Sequence, residues 1–395
     1  MHKNTRNFTP MNPQPLESHN NLTITLKCFY GFEEVLKEEL LELGYANCRL
    51  GNRAVTLTGT WKDVYFLNLY SRCAISVLVE ITRFAFRSEQ DLYDASLSVK
   101  WSNWFHESQT FVVRGAIQTQ KVRNTHYPFL LIKDGIVDHF RENNKERPSI
   151  DTKHPKIVID LYLNDKEGVI SVNTSGLPLF QRGYRTSTGI APINEVVAAS
   201  LIRLSGWDRK QAFYDPFCGS GTFLIEAALL ATGIPSNIER THYAFKNLAN
   251  FDGSLWEEIY DNAPRIVRSL PCSISGSDIS DEMVIKARRN LRGFSFGRFI
   301  EVSSKDFREI REKKDIQFIL TNPPYDERMQ LEDEELYQHL GTWMKHTMQE
   351  VPTWIISSNK EGFHAIGLKP SKKIEVFNGD IKCSFRRYDT YDSKF

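Results

Sequence analysis

Asn322-Pro323-Pro324-Tyr325 is the segment of this sequence with the most legible chemistry. It follows an apolar run, residues 316–321, that reads as a buried strand. An exocyclic amine on an aromatic base is a poor nucleophile, because its lone pair is delocalised into the ring. The Asn322 amide oxygen and the Pro323 carbonyl can each accept one N–H from such an amine, which frees the lone pair and aims it. Proline fixes φ, so Pro323 and Pro324 hold that carbonyl rigidly. Tyr325 offers a face on which a base can stack, a contact of about 1–3 kcal/mol. Asn322, Pro323, Pro324 and Tyr325 are therefore the candidate catalytic residues, holding an amine for alkylation. An Asn-Pro-Pro turn in isolation could simply end a strand; its weight comes from what precedes it.

Residues 212–215 read as a strand ending in Asp215. A tight turn follows, Pro216-Phe217-Cys218-Gly219-Ser220-Gly221-Thr222, and a helix starts at Phe223. Gly219 and Gly221 let backbone approach a ligand with no Cβ in the way. The third glycine of a dinucleotide fingerprint and the lysine of a triphosphate loop are both missing. An acid at the strand end suits a cation better than a phosphate, and the ammonium and sulfonium of S-adenosylmethionine are such cations. Asp215, Phe217, Cys218, Gly219, Ser220, Gly221 and Thr222 are the expected cofactor contacts. Asp278, closing the next strand at 273–278, can accept from two ribose hydroxyls. Asp306 follows an expected strand at 299–302. It reads either as an acceptor for the adenine amino group or as a surface-loop acid.

These motifs need a frame. At 395 residues the chain suits two or three domains. Its first 21 residues carry no apolar period and read as a disordered leader. A small β-α-β unit follows, then an α+β block to about residue 173. Beyond Pro178, helix and strand alternate as in a doubly wound parallel sheet, closed by a hairpin at 373–377 and 381–388. Phe245, Phe251 and Trp256, in an aromatic-rich insertion, are expected to pack rather than to touch a ligand. The sequence has no run of about 18 apolar residues and no export signal, so a cytoplasmic protein without membrane contact is expected. Six cysteines form no Cys-x-x-Cys pair, and no metal site is expected. With a net charge of +1, any nucleic-acid face must be local. Lys121, Arg123 and Lys133, and the run Lys286, Arg288, Arg289, Arg292 and Arg298, read either as such patches or as solvated helix faces.

Asp215–Thr222 together with Asn322–Tyr325 resembles the class I methyltransferases that act on amino or amide nitrogens. Ser175-Gly176, Leu179-Phe180-Gln181-Arg182-Gly183-Tyr184-Arg185 and Ala191-Pro192-Ile193-Asn194-Glu195 narrow the likeness. With Lys133–Asp138, Arg147–Asp151 and Asn322–Met329, they resemble the bacterial 23S rRNA guanine-N2 methyltransferases that carry a THUMP domain. Phe180, Gln181 and Asp326 stand where that family more often has His, a basic residue and Gly. The resemblance covers nearly all the chain after residue 22. It implies an α/β fold: a Rossmann-like class I methyltransferase domain with a mostly parallel seven-stranded sheet, preceded by an α+β ferredoxin-like and THUMP RNA-binding module. The implied boundaries are 22–60 for the ferredoxin-like unit, 61–175 for THUMP, 176–191 for a linker and 192–395 for the methyltransferase. It also implies that Asn194 and Glu195 lie near the cofactor and that one catalytic domain is present, where some members carry two.

The expected activity is therefore S-adenosylmethionine-dependent methylation of a guanine N2 in 23S rRNA. A base edge is reached only outside a helix, so the expected partner is RNA, naked or partly assembled, and not DNA. A tRNA guanine-N2 methyltransferase shares both domains. DNA adenine-N6 and release-factor glutamine methyltransferases share only the Asn-Pro-Pro-Tyr segment and leave the front half unexplained. A non-catalytic RNA-binding assembly factor would not be expected to keep Asp215, Gly219, Gly221, Asp278 and Asn322.

Overall fold

A computed structural model describes residues 21–142, 146–185, 193–313, 315–324 and 330–391. Residues 1–20 of the expected leader, residues 186–191 of the linker and Tyr325 lie outside the described residues. The front half holds strands β1 (Leu22–Lys27), β2 (Arg49–Gly51), β3 (Ala54–Gly59), β4 (Ser76–Ala85), β5 (Phe111–Gln118), β6 (Ile157–Asn164) and β7 (Glu167–Asn173). Helices α1 (Glu33–Glu42), α2 (Trp61–Tyr70), α3 (Gln90–Leu97) and α4 (Tyr127–Glu142) accompany them. Alternation forms β1, whose Ile24 and Leu26 are buried, and a stripe of Phe32, Val35, Leu36 and Leu40 seats α1. Thr60 and Asp63 form a capping box at the start of α2.

The β-α-β unit and the block after it share one sheet, in the order β2-β3-β1-β4-β7-β6-β5. Strand β4 pairs with β1 on one side and β7 on the other, so the front half is one continuous layer. Two elements of the front half have no counterpart in the sequence. The short edge strand β2 is exposed throughout, and α3 packs against α4.

The rear half holds α5 (Glu195–Leu204), β8 (Phe213–Asp215), α6 (Thr222–Thr232), α7 (Gly253–Asp261), β9 (Ile274–Asp278) and α8 (Asp281–Leu291). It continues with β10 (Glu301–Ser304), β11 (Phe318–Thr321), α9 (Gln330–His346), β12 (Thr353–Ser357), α10 (Lys360–Ala365), β13 (Lys372–Asn378) and β14 (Ile381–Tyr388). The sheet order is β10-β9-β8-β11-β12-β14-β13, with β10 through β12 parallel and β14 antiparallel to both neighbours. This is the expected Rossmann-like sheet. The chain builds outward from β8 to β10, then crosses back to β11. The switch point therefore lies between the carboxyl ends of β8 and β11, where such sheets bind ligands.

The insertion after α6 joins the two halves. The Tyr65 ring of α2 lies 4.6 Å from Phe245, 5.8 Å from Phe251 and 6.3 Å from Trp256, so these aromatics pack as the sequence suggested. Two buried arginines tie the junction. Arg240 donates to the carbonyls of Ser175, Leu177, Pro178, Gln181 and His242. Arg182 donates to the Arg72 carbonyl at 2.6 Å, to the Leu179 carbonyl and to Asn237, and lies 3.4 Å from Glu226. Both side chains of the Arg182–Glu226 pair are fully buried. Gly183 next to it has φ +96°, and a Cβ there would lie 2.4 Å from the Glu239 carbonyl oxygen, so only glycine fits.

Removing one partner of a buried pair strands the other charge, at about 3–5 kcal/mol. Arg182→Met is therefore expected to lower stability by that order in urea denaturation. Arg182→Lys keeps the charge but not the planar fork, and should recover only part of the loss.

Candidate functional site

The two acids the sequence placed at strand ends stand side by side. Asp215 closes β8 and is buried; Asp278 closes the neighbouring β9. Thr321, the last residue of β11, donates from Oγ1 to Asp215 Oδ1 at 2.6 Å. Asn322 is the next residue, half-buried, followed by buried Pro323 and exposed Pro324. Parallel pairing of Phe318 with Phe213 and Ile319 with Tyr214 brings β8 and β11 to end level. Candidate cofactor turn and candidate base-holding segment thus share one crevice.

Short backbone contacts shape the turn. The Phe217 N–H donates to Asp215 Oδ1 at 3.1 Å, and the Gly219 N–H donates to Asp278 Oδ2 at 2.9 Å. Gly221 has φ +84° and sits 3.2 Å, measured from an added Cβ, from Ala287 of α8. Glycine is required there both by conformation and by close packing. The Cys218 N–H donates to the Ser277 carbonyl, and its thiol is buried, which pushes its pKa well up. That thiol is a packing group. The Ser220 carbonyl accepts from Asn290 of α8 at 3.0 Å. Phe217 packs on Phe307 at 5.1 Å.

Burial raises the Asp215 carboxyl to about 7; the Thr321 hydroxyl and Phe217 N–H oppose this, and the nearby Asp278 charge adds to it. A carboxylate held so far from water favours a cation beside it. Asp278 accepts one N–H on each oxygen, from Gly219 and from Ser280 at 2.9 Å. A carboxylate has about four acceptor positions, so a pair of hydroxyls can still be received. An added Cβ at Gly219 would meet nothing within 4 Å, leaving open backbone beside both acids. This donor set fits a cationic nucleoside such as S-adenosylmethionine.

Asp306 is engaged differently. Its carboxylate takes a forked contact from Arg308, at 3.0 Å from Nε and 2.6 Å from Nη2, and Arg308 holds its pKa below the usual range. Asn194 caps α5, its Oδ1 accepting from the Val196 and Val197 N–H groups. Glu195 is buried, lies 3.2 Å from Arg185 Nε, and has its pKa raised by burial. The Arg185 guanidinium also donates to the Ile193 carbonyl and to Thr222 Oγ1 at 2.9 Å. One side chain therefore links the start of α5 to the glycine turn.

Sequence reasoning missed three supports: Thr321, Arg185 and the Tyr214–Ser277 hydroxyl contact at 2.6 Å. Thr321 carried a signal, a hydroxyl ending an otherwise apolar strand. Among the described residues, no group of three or more His, Cys, Asp or Glu side chains could hold a metal. Nor is any described helix long and apolar enough to cross a membrane.

Comparison with known proteins identifies the family. Residues 182–387, just over half of the chain, match the RMKL-like methyltransferase domain model. The chain belongs to that methyltransferase family. Residues 86–173 match the THUMP domain, and residues 23–78 the RlmL ferredoxin-like domain. A ribosomal RNA large subunit methyltransferase K/L from Shewanella frigidimarina is 32% identical over 365 residues, which is 91% of this chain and 51% of that protein. The chain thus spans about half the length of the curated relatives it matches. Among solved structures, SMU.472 in complex with SAH superposes with a TM-score of 0.82 at 25% identity, covering 95% of this chain and all of that one. A possible methylase from Clostridium difficile 630 gives 0.80 at 27% identity, covering 94% and 98%.

The Asp215 carboxyl sets a pH dependence. In the free folded chain it keeps its proton up to about pH 7, whereas the unfolded chain loses it near 3.8. Across that window the free fold loses stability as pH rises, and a bound cation reverses the effect. Affinity for S-adenosylmethionine is expected to rise about tenfold from pH 6 to pH 8 by calorimetry. Asp215→Asn should flatten that rise.

Proposed function

We propose that this chain methylates the exocyclic N2 amine of a guanine in large-subunit (23S) ribosomal RNA, using S-adenosylmethionine. The observation that carries the reading is the crevice between β8 and β11. Thr321 binds Asp215, and Asn322-Pro323 therefore leaves the sheet directly beside the glycine turn. When bound, S-adenosylmethionine supplies a methyl group on a positively charged sulfur. Asp215 offsets positive charge, Asp278 receives the ribose hydroxyls, and Gly219 leaves open backbone for the nucleoside, while Gly221 packs the turn on α8. Asn322 Oδ1 and the Pro323 carbonyl accept the two amine N–H groups, and Tyr325 is assigned the stacking face.

Positioning accounts for most of the rate. Well-oriented reactants gain on the order of 7–11 kcal/mol, and the amine loses its proton to solvent without a strong base. Support for an RNA substrate comes from the THUMP match and from relatives named for ribosomal RNA. The guanine assignment rests on the sequence resemblance.

Radiolabelled S-adenosylmethionine offered with total rRNA and, separately, total tRNA tests the proposal. The expected outcome is label recovered as N2-methylguanosine from rRNA, with protein-free rRNA a better acceptor than intact large subunits. Label in tRNA alone would replace the substrate. Preference for intact subunits would contradict the requirement for an accessible base edge.

A further inference from the structure

Outside the crevice, a groove of about 260 Å³ lies between the two halves, lined by Tyr30, Arg53, Phe377, Gly379 and Asp380. Three loops build it. Tyr30 comes from the β1–α1 loop, Arg53 from the β2–β3 turn, and the other three residues from the tip of the β13–β14 hairpin. Glu33 fixes the first two loops together, its carboxylate accepting from the Gly31 N–H at 2.8 Å and the Arg53 N–H at 3.0 Å. Tyr30 meets Phe377 edge to face at 5.9 Å, yet Tyr30 remains 56% exposed. A large aromatic held in place but left in water is a contact surface waiting for a flat partner.

The groove also lies at the correct end of the molecule. Ser357, the last residue of β12, pairs with Ser384, so the hairpin tip at 378–381 runs past the carboxyl end of the parallel strands. Asn378 Oδ1 accepts from the Asn194 N–H at 3.4 Å, which places the tip beside the start of α5 and hence beside the crevice. From β11 to β13 is three strand spacings of ~4.8 Å, roughly 14 Å. One RNA strand can reach both places.

The polar groups indicate which base would fit. The side chains of Arg53 and Asp380 make no hydrogen bond or ion pair among the described residues. A cation and an anion facing one groove without pairing present donors and acceptors at once. Guanine answers both. Its Watson–Crick edge offers N1–H and N2–H to a carboxylate, and its O6 and N7 accept from a guanidinium. Single-stranded RNA is read in this way, with a splayed base stacked on an aromatic ring and hydrogen-bonded on its edges. The volume lies below the ~300 Å³ at which pockets for larger ligands begin, the scale of one planar ring system.

We propose that this groove is a second nucleobase site, which stacks a guanine flanking the target nucleotide against Tyr30 and Phe377 and reads it with Asp380 and Arg53. The proposal rests on RNA being the substrate. Bound in this way, the flanking base fixes the strand on the hairpin side and leaves the target free to enter the crevice.

The test uses the full chain with protein-free rRNA. Tyr30→Ala is expected to raise KM for RNA about tenfold, with kcat, S-adenosylmethionine affinity and thermal unfolding within about twofold or a few degrees of the parent. Tyr30→Phe should restore the parent KM, and Asp380→Asn should raise it. Irradiating the enzyme with thioguanosine-substituted rRNA should cross-link a peptide containing Tyr30 or Phe377. An unchanged KM in Tyr30→Ala, with methyl transfer intact, would overturn this site alone. A parent enzyme that neither binds nor methylates RNA would overturn the functional reading as well.

Discussion

Thr321 Oγ1 donates to Asp215 Oδ1 over 2.6 Å, and the site is organised around that contact. It joins the first strand of the doubly wound sheet to the strand where the chain crosses back. The crossover leaves a crevice at that point because the helices on either side run away from it. Whatever ends β8 and whatever ends β11 must therefore meet. Here the first is an acid leading into a glycine turn and the second is a hydroxyl leading into Asn-Pro-Pro. The same bond opposes the effect of burial on Asp215, which still leaves the carboxyl at about 7.

A second constraint acts between the halves. Arg240 satisfies four carbonyls between Ser175 and Gln181 and that of His242, and Arg182 reaches the front half through the Arg72 carbonyl. A buried guanidinium is costly to desolvate and is retained where its fork fits several fixed acceptors. Here most of the acceptors are backbone carbonyls between Ser175 and Gln181, outside any helix or strand, groups that burial would otherwise leave unpaired. Aromatic packing of Tyr65 against Phe245 and Trp256 completes the joint. The orientation of the THUMP-bearing half toward the crevice follows from these contacts.

Local features were legible in the sequence. Alternation marked β1 and β3, the three- and four-residue stripe marked α1, and strand–turn–helix order placed Asp215 and Asp278 at adjacent strand ends. Contacts set by register were not legible. Nothing in the sequence says that Thr321 faces Asp215, since that depends on how β8 and β11 align. The shared strand β4 was hidden because its neighbours lie far apart along the chain. The expected strand at 299–302 begins instead at Glu301, because Gly297–Phe299 tightens into a 3-10 turn. Asp306 was open to two readings. Its fork with Arg308, two residues on, is a contact the sequence could have offered. Arg182 was visible only within a resemblance, with no hint that it bridges two halves.

In the proposed reaction Asn322 and Pro323 hold the reacting amine while the two acids and the glycine turn hold the cofactor. Single-turnover methyl transfer by Asn322→Ala, measured beside its S-adenosylmethionine dissociation constant, tests that division most directly. Transfer is expected to fall by at least about a hundredfold while cofactor affinity stays within about twofold, because one of two fixed acceptors for the amine is lost. Transfer at the parent rate would contradict the assignment of Asn322. Equal loss of cofactor affinity would show that Asn322 supports the crevice rather than the amine.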